Sequence, residues 1–199
     1  ANNDWNCIEI TKHGWKVLDK SPVTFVRTPN MRPLPKPGET NDIERLWNYV
    51  NVAQEERLLL LSWLVEFFRR DTHDPLLELT GEQGSGKSIT HNNIRELIDP
   101  NKVNLRSAPQ KIDELFIPAA HSLLVSIENV SYLSDPMQDR MCSLGTGGGF
   151  ATRTLYSTSE ETAVELQRPI IVNGIVGVVT RPDLLDRTLI LELPQLIER

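Results

Sequence analysis

Residues Gly81 to Ser88 constrain the fold of this chain more than any other stretch, because they fit the pattern G-x-x-x-x-G-K-[ST]. The glycines allow backbone conformations that a Cβ atom would forbid, so that successive N–H groups can turn towards an anion. In such a loop the ammonium of Lys87 reaches the β- and γ-phosphates, and the hydroxyl of Ser88 is a ligand for Mg²⁺. The pattern therefore predicts a site for a nucleoside triphosphate with its Mg²⁺ ion.

The pattern lies between a strand and a helix. An apolar run, Leu76 to Leu79, leads into the loop, and a helical segment, Ser88 to Ile98, follows it and points its positive dipole end at the phosphates. The alternative, a glycine-rich surface loop that matches by chance, does not explain this order. The residues predicted to bind ATP are Gly81, Glu82, Gln83, Gly84, Ser85, Gly86, Lys87, Ser88 and Ile89.

The composition of the 199 residues is that of an ordinary globular chain, with 39% hydrophobic and 24% charged residues. The longest apolar run, Leu58 to Leu61, is too short to span a bilayer, and two isolated cysteines indicate a reducing compartment without a zinc site. We expect a cytoplasmic protein with no membrane partner. The net charge of −6 excludes a protein coated in basic surface but not a basic channel. Because the chain begins at Ala1 without methionine, we expect a fragment or a processed product.

Composition shifts along the chain predict three regions. Residues 1–40 read as an extended, β-containing segment, with short strands at Ile8–Ile10 and Val23–Val26, that ends in a proline-rich linker. Residues 41–74 read as a helical subdomain and residues 75–199 as the nucleotide-binding core. In the helical subdomain, Asn41 or Asp42 can cap a first helix.

A second helix, about residues 53–70, carries a broad apolar stripe, which favours packing against the core over contact with a partner. In the core, strands are predicted at 76–80, 103–105, 123–127, 170–172 and 188–193. Helices are predicted at 88–98, 111–120 and 137–144, followed by a glycine-rich break, and a short helix near Pro182. Apolar strands that alternate with helices predict a mainly parallel sheet covered on both faces, which is an α/β fold.

Two strand ends carry polar residues suited to phosphate chemistry. Glu128 ends the apolar strand 123–127, where it can hold Mg²⁺, and Asn129 can orient the attacking water. The alternative for Glu128 is a side chain that only faces solvent. Asn173 ends a second apolar strand, where it can hydrogen-bond the γ-phosphate or water, although an Asn-Gly turn with Gly174 explains it nearly as well locally.

Several motifs together resemble those of phage- and mobile-element-associated P-loop ATPases, similar to superfamily 3 helicases and the wider AAA+ class. They are Gly81 to Ser88, Ile127 to Ser131, Gly147 to Tyr156, Arg168 to Ile175 and Arg181 to Arg187. The resemblance covers roughly residues 40 to 197 and implies a three-layer P-loop NTPase fold with about five parallel strands ordered 5-1-4-3-2 and an N-terminal helical extension. It implies ATP at the interfaces of a homo-oligomeric ring, often a hexamer, that replicates mobile DNA. Single-stranded or forked DNA is the expected substrate, and primase or other replication proteins are possible partners.

The resemblance also implies roles for individual residues. Asn173 matches the first sensor, and Arg187 matches the arginine finger that completes a neighbour's site, with Arg181 the weaker candidate. The alternative for Arg187 is an ordinary salt bridge with Asp183 or Asp186.

Residues 145–156 occupy the place of the helicase pore hairpin. There Arg153 can contact phosphate, and Phe150 or Tyr156 can stack on a base. A purely structural loop between subunits explains this segment almost as well.

The sequence departs from the family pattern in two ways. Glu128 stands where an aspartate is more usual, and Asn129 stands where many relatives in the broader class have a glutamate. Because an asparagine cannot take a proton, hydrolysis is expected to be slow or to depend on positioning alone. No segment after Arg199 supplies the small helical lid of many AAA+ proteins, so we expect either a truncated chain or N-terminal helices that take the place of the lid.

These observations favour an ATPase of the P-loop NTP hydrolase type, a DNA helicase or translocase. A second hypothesis is an ATP-dependent switch or loader that hydrolyses slowly and controls a partner replication protein. A small-molecule phosphotransferase ranks last, because Arg140, Arg153 and Arg168 are scattered rather than clustered in a lid.

Overall fold

The computed structural model describes residues 6–38, 42–69, 72–153 and 161–196. The strands in these ranges are β1 (Cys7–Thr11), β2 (Gly14–Leu18), β3 (Leu76–Thr80), β4 (Arg106–Ser107), β5 (Val125–Glu128), β6 (Gly149–Arg153), β7 (Glu161–Glu165), β8 (Ile170–Asn173) and β9 (Thr188–Glu192). The α-helices are α1 (Arg57–Glu66), α2 (Lys87–Ile98), α3 (Ile112–His121), α4 (Asp135–Thr146) and α5 (Pro182–Leu185). Short 3-10 helices cover Ile43–Asn48 and Gln54–Glu56.

A parallel sheet of five strands organises the core, in the order β4-β5-β8-β3-β9. The predicted α/β class with a mainly parallel sheet is therefore confirmed. All five residues of the inner strand β3 are buried, which fits a sequence, LLELT, in which three of the five residues are leucine. Because all five strands run in the same direction, their carboxyl ends meet at one edge.

Helices cover both faces of this sheet because successive strand residues point to opposite sides. Leu77 and Leu79 of β3 pack with α1 and α2, which defines the α2 face of the sheet. Leu76 packs with α3, α4 and α5, which defines the α4 face. The helices contribute Leu60, Trp63, Ile94 and Ile98 to the first core and Leu115, Phe116, Met141, Leu144 and Leu184 to the second.

The N-terminal segment forms an antiparallel hairpin of β1 and β2, with Ile10 opposite Trp15. The strand predicted at Ile8–Ile10 is confirmed as part of β1. The strand predicted at Val23–Val26 is wrong, since the described N-terminal residues form no strand there. The hydroxyl of Ser21 accepts a hydrogen bond from the N–H of Val23 and donates to its carbonyl oxygen, which makes a local turn instead.

The predicted helices before the core are shorter than their apolar patterns suggested. The first is the 3-10 helix Ile43–Asn48, whose N-cap Asp42 accepts a hydrogen bond from the N–H of Glu44. The second begins as a 3-10 turn and continues as α1 only to Glu66. The longest helix in the described residues has 12 residues, and none is long and apolar enough to cross a membrane.

In the core the predicted strands 76–80, 170–172 and 188–193 agree with β3, β8 and β9 to within one residue, and 123–127 overlaps β5. The strand predicted at 103–105 is misplaced, because β4 comprises Arg106 and Ser107. The side chains of Asn101 and Asn104 accept hydrogen bonds from nearby backbone N–H groups, and this turn delays the strand.

Helices α2 and α3 follow the prediction, whereas α4 extends past both predicted ends to Asp135 and Thr146. Gly145 is helical and does not break the chain. Glycine is needed there for packing, because a Cβ would lie 2.8 Å from the carbonyl oxygen of Asp74. Gly147, with φ 84°, ends the helix. The helix predicted near Pro182 is α5, with Arg181 as its N-cap.

Candidate functional site

The loop between β3 and α2 has the backbone conformation that its glycines predicted. Gly81 and Gly86 have φ 141° and 76°, in the region that L side chains rarely adopt. A Cβ on Gly81 would lie 2.7 Å from the carbonyl oxygen of Leu193, so the loop tolerates no side chain there. The loop therefore depends on glycine both for its torsion angles and for its close approach to the segment after β9.

The backbone of this loop presents N–H groups that are available to an anion. Among the described residues, no acceptor pairs with the N–H groups of Gly84, Gly86, Lys87 and Ser88. The last two open α2, where the first N–H groups of a helix have no intrahelical acceptor and its dipole is positive. The loop thus fits a phosphate group by shape and by hydrogen-bonding capacity.

The ammonium of Lys87 lies over the same loop. Its Nζ donates hydrogen bonds of 2.7 Å to the carbonyl oxygens of Gly81 and Glu82. The side chain is half-buried, and the neighbouring Ser88 is exposed at the start of α2. The positive charge is therefore held within the loop by weak carbonyl acceptors that a phosphate oxygen can replace. The predicted residues Glu82, Gln83 and Ile89 are also exposed.

Asn51 anchors the loop, a role that the sequence interpretation missed. Its Nδ2 donates to the carbonyl oxygens of Ser85, at 2.8 Å, and Pro194, at 2.6 Å. Its backbone N–H donates to the hydroxyl of Thr90 on α2. One asparagine thus ties the helical region before the core to the loop, to α2 and to the segment after β9. Its place between two short helices gave no signal for this role.

The carboxyl ends of β3, β5 and β8 bring the predicted acid and the predicted sensor to the edge of the sheet that carries the loop. Glu128 is half-buried at the end of β5. Asn129 follows with φ 53°. Among the described residues, it is the one non-glycine residue with a positive φ. Such a conformation strains most side chains and marks functional sites more often than chance.

Asn173 is buried at the end of β8, with 2% of its surface exposed. Its Oδ1 accepts the N–H of Asn129 at 2.8 Å, and its Nδ2 contacts Nδ1 of His91 at 2.7 Å. The Nε2 of His91 contacts the hydroxyl of Ser126 at 2.7 Å. Both polar atoms of Asn173 therefore contact protein groups, and a contact with phosphate or water stays a prediction.

His91 is fully buried in this cluster. Burial, and then the charge of Arg95, lowers the pKa of His91 to about 3. No sequence motif predicted a role in the site for His91. The spacing of His91 with Ile94 and Ile98 (i, i+3, i+7) does place it on the buried stripe of α2.

The two candidate arginine fingers differ in position and in their partners. The carbonyl oxygen of Arg187 accepts the N–H of Leu76, which places it beside the start of β3, at the opposite edge of the sheet from Gly81. Its guanidinium is exposed and donates to the carbonyl oxygen of Asp183, and among the described residues no carboxylate pairs with it. Arg181, by contrast, forms an ion pair of 3.1 Å with Asp139.

The predicted pore segment is an antiparallel hairpin of β6 and β7. Phe150 and Arg153 belong to β6, opposite Val164 and Glu161, whereas Tyr156 lies outside the described residues. Arg168 donates to the carbonyl oxygens of Ala119 and Ser122, so it supports the fold behind β8 rather than a lid.

In the described part of the chain no group of three or more histidine, cysteine or acidic residues is placed to hold a metal ion. A Mg²⁺ ion bound by Ser88, Glu128 and phosphate oxygens does not require such a group. Of the two predicted metal ligands, Ser88 lies at the start of α2, after the loop that follows β3, and Glu128 ends β5, with β8 between these two strands.

Comparison with protein-family models gives a match over residues 41–199, to the model described as actinomycete integrative conjugative element replication protein. Comparison with curated proteins gives no match. The matched range begins after the β1–β2 hairpin and includes the loop, the five-stranded sheet and the β6–β7 hairpin.

Proposed function

The chain belongs to the family of actinomycete integrative conjugative element replication proteins, and from this premise we propose that it is a ring-forming motor that binds and hydrolyses ATP and acts on the DNA of the element. The family assigns it a role in replication of a mobile element. The observation that carries the proposed activity is the loop of Gly81 to Ser88, whose unpaired N–H groups and lysine lie at the carboxyl edge of a parallel sheet. We place such a motor in the cytoplasm.

The strand order supports a P-loop NTPase. When the five strands are numbered along the chain, their order from β9 is 5-1-4-3-2, which is the order that the resemblance implies. This order inserts β8 between β3 and β5, so that Asn173 lies between the phosphate-binding loop and Glu128. A nucleotide γ-phosphate above Lys87 would then lie between the sensor and the acid.

The residues of the site divide the work of phosphoryl transfer. The loop N–H groups and Lys87 would hold the phosphates, and Ser88 with Glu128 would hold Mg²⁺. Bound Mg²⁺ would supply charge neutralisation between the β- and γ-phosphates. Glu128 and Asn129 would orient the attacking water, although only Glu128 can accept a proton.

The position of Arg187 supports assembly into a ring. An exposed guanidinium at the far edge of the sheet cannot reach the loop of its own chain, but it can complete the site of a neighbouring copy. A planar cation on the γ-phosphate is worth about 10³–10⁵ in rate in enzymes that use one. A closed homo-oligomer, a hexamer in our proposal, supplies every site with one such arginine. The β6–β7 hairpin would then face DNA in the centre, and primase is a possible partner.

One observation favours a second function, an ATP-dependent switch or loader with slow hydrolysis. Asn129 stands where a proton-accepting side chain would speed hydrolysis, and its N–H is already tied to Asn173. In this alternative ATP binding, rather than turnover, would control a partner replication protein.

The deciding experiment is ATP turnover over a range of protein concentrations, with and without single-stranded DNA. The motor predicts turnover that rises steeply with concentration and falls at least about a hundredfold in Arg187→Ala. Arg181→Ala is the matched control, because the Arg181 guanidinium is paired within its own chain. Loss of DNA stimulation in Arg153→Ala would support contact of the hairpin with DNA.

The opposite results are equally informative. Turnover that is flat with concentration and indifferent to Arg187 would contradict the ring motor and favour the switch. Absence of ATP binding in the unmodified protein, measured by equilibrium titration with Lys87→Ala as the blank, would contradict both functions.

A further inference from the structure

A chain of hydrogen bonds runs from the candidate catalytic edge into the core beneath it. The N–H of Asn129 donates to Asn173 Oδ1, which leaves the amide nitrogen of Asn173 facing His91. An amide nitrogen only donates, so Nδ1 of His91 must be the unprotonated, accepting nitrogen. The ring proton then lies on Nε2 and is donated to the hydroxyl of Ser126.

Strand alternation explains why these groups meet. Ser126 of β5 comes two residues after Leu124, which directly precedes that strand, and Asn173 comes two residues after Ile171 on β8. Because Leu124 and Ile171 belong to the core on the α2 face, both polar side chains point to that face. His91 meets them from α2, four residues after Lys87 and therefore one turn deeper on the same side of the helix. The helix that begins with Lys87 thus contacts both strands, β5 at Ser126 and β8 at Asn173, through one imidazole.

Only a neutral imidazole fits this arrangement. A proton on Nδ1 would face the donor nitrogen of Asn173, and the charged group that lies near the ring, Arg95, has the same sign as an imidazolium. Burial lowers the pKa of His91 to about 3, so the accepting state is the one present at neutral pH.

We propose that His91 is a positioning residue of the ATPase site: by accepting the amide hydrogen bond of Asn173, it fixes the Asn173 oxygen on the N–H of Asn129 and holds the strained end of β5 in register with α2. The inference rests on the proposed function for its effect on catalysis, but the hydrogen-bond geometry does not require nucleotide. His91 touches neither substrate nor metal, and it acts through Asn173.

A pair of conservative substitutions separates the two hydrogen bonds of the ring. In His91→Asn the new Oδ1 takes the place of Nδ1 and still accepts from Asn173, but the bond to Ser126 is lost. In His91→Gln the new Nε2 takes the place of the ring Nε2 and keeps the bond to Ser126, but the acceptor for Asn173 is lost. Both variants keep a polar side chain and lose one hydrogen bond. If His91 had only a structural role, the two variants would therefore affect Asn129 and ATP turnover to a similar extent.

The first measurement is amide hydrogen exchange at Asn129 without nucleotide. We expect exchange to quicken about tenfold or more in His91→Gln and to stay within about threefold of wild type in His91→Asn. Ser126→Ala is the control that removes the distal bond alone, and its Asn129 exchange should match wild type. Equal protection of Asn129 in all the variants, or equal loss in both His91 variants, would overturn the proposal.

The second measurement is ATP turnover. We expect kcat to fall about tenfold in His91→Gln, with KM within about twofold of the wild-type value. In His91→Asn we expect kcat to stay close to that of wild type. If kcat instead falls in proportion to thermal stability across His91→Gln, His91→Asn and Ser126→Ala, the result would contradict the proposal and show that His91 acts only through packing. If the unmodified protein turns over no ATP, the proposed function fails, and the exchange measurement still decides whether His91 positions Asn129.

Discussion

The two faces of the central sheet bury polar groups in different ways. On the α2 face, His91, Ser126 and Asn173 form a hydrogen-bonded cluster, and Arg95 forms a buried ion pair with Asp99. On the α4 face, the strands contribute, among the residues whose burial is described, one buried charged residue, Glu78 of β3. Its Oε1 accepts the N–H of Val178 at 2.6 Å, whereas its Oε2 has no partner in the described residues.

This difference between the two faces shows where hydrogen bonds, rather than apolar packing, fix the relative positions of helices and strands. Buried polar groups cost stability unless they are paired, so a cluster that is paired atom by atom fixes one arrangement of the elements that share it. The α2 face fixes the helix that follows the loop Gly81 to Ser88 against two strands, β5 and β8. The α4 face is assembled mainly by apolar packing, and Glu78 holds only the segment after β8.

The largest effect should come from breaking the ion pair of the α2 face. The Oδ2 of Asp99 accepts from Arg95 and from the N–H groups of Leu123 and Leu124. Asp99→Ala would leave a buried guanidinium without its counter-charge, and we expect unfolding free energy to fall by about 3–5 kcal/mol. Urea denaturation measures this, and Asp99→Asn, which keeps one acceptor, should lose less. A loss below about 1 kcal/mol would contradict the buried pair.

The next effect is a pH dependence due to His91. Its pKa is about 3 in the folded chain and ordinarily 6.5, so the unfolded chain binds its proton first as pH falls. The folded protein should therefore lose stability between pH 6.5 and 3, by about 3 kcal/mol at pH 4 relative to pH 7 from this group alone. The measurement is the difference between wild type and His91→Asn in urea titrations at each pH. A constant difference would show that His91 is not buried in its neutral form.

The sequence predicted the outline of both faces. The apolar strands, the loop Gly81 to Ser88 and the helix after it follow from local pattern, since periodicity and glycine geometry are properties of neighbouring residues. The position of β4 was missed because the side chains of Asn101 and Asn104, rather than strand propensity, decide where the turn ends.

The polar residues at the strand ends of the candidate site could be predicted from the sequence, but the hydrogen bonds that connect them to the rest of the fold could not. Glu128 and Asn173 were predicted because each ends an apolar run. The contact of Asn173 with His91 joins residues 82 positions apart, and that of Asn51 with Pro194 joins residues 143 apart. Such contacts depend on how helices and loops from distant parts of the chain pack together, and local sequence patterns do not specify that packing.

Glu78 gives a pH dependence of opposite sign on the α4 face. Burial raises the pKa of its carboxyl, partly offset by the N–H groups of Val178 and Val179. The folded chain therefore keeps this proton longer than the unfolded chain, and stability should fall as pH rises from the ordinary glutamate pKa through the raised one. We expect Glu78→Gln to remove this decline, with a smaller effect than that of His91 because two N–H donors remain. Urea titrations of both proteins from pH 4 to 8 test it, and parallel curves would contradict it.

The smallest effect should come from the exposed ion pair of Arg181 with Asp139, whose side chains are 40% and 53% exposed. Solvent and salt screen such a pair, so Arg181→Ala should change unfolding free energy by less than about 1 kcal/mol. The comparison with Asp99→Ala holds the interaction type constant and changes burial, since the Arg95–Asp99 side chains are 3% and 7% exposed. Urea denaturation at low and high salt measures both effects. The change in unfolding free energy caused by Arg181→Ala should depend on salt, whereas the change caused by Asp99→Ala should not. If the two substitutions cost the same, burial would not be what distinguishes the α2 face, and its polar cluster would lose its proposed role in holding the loop helix.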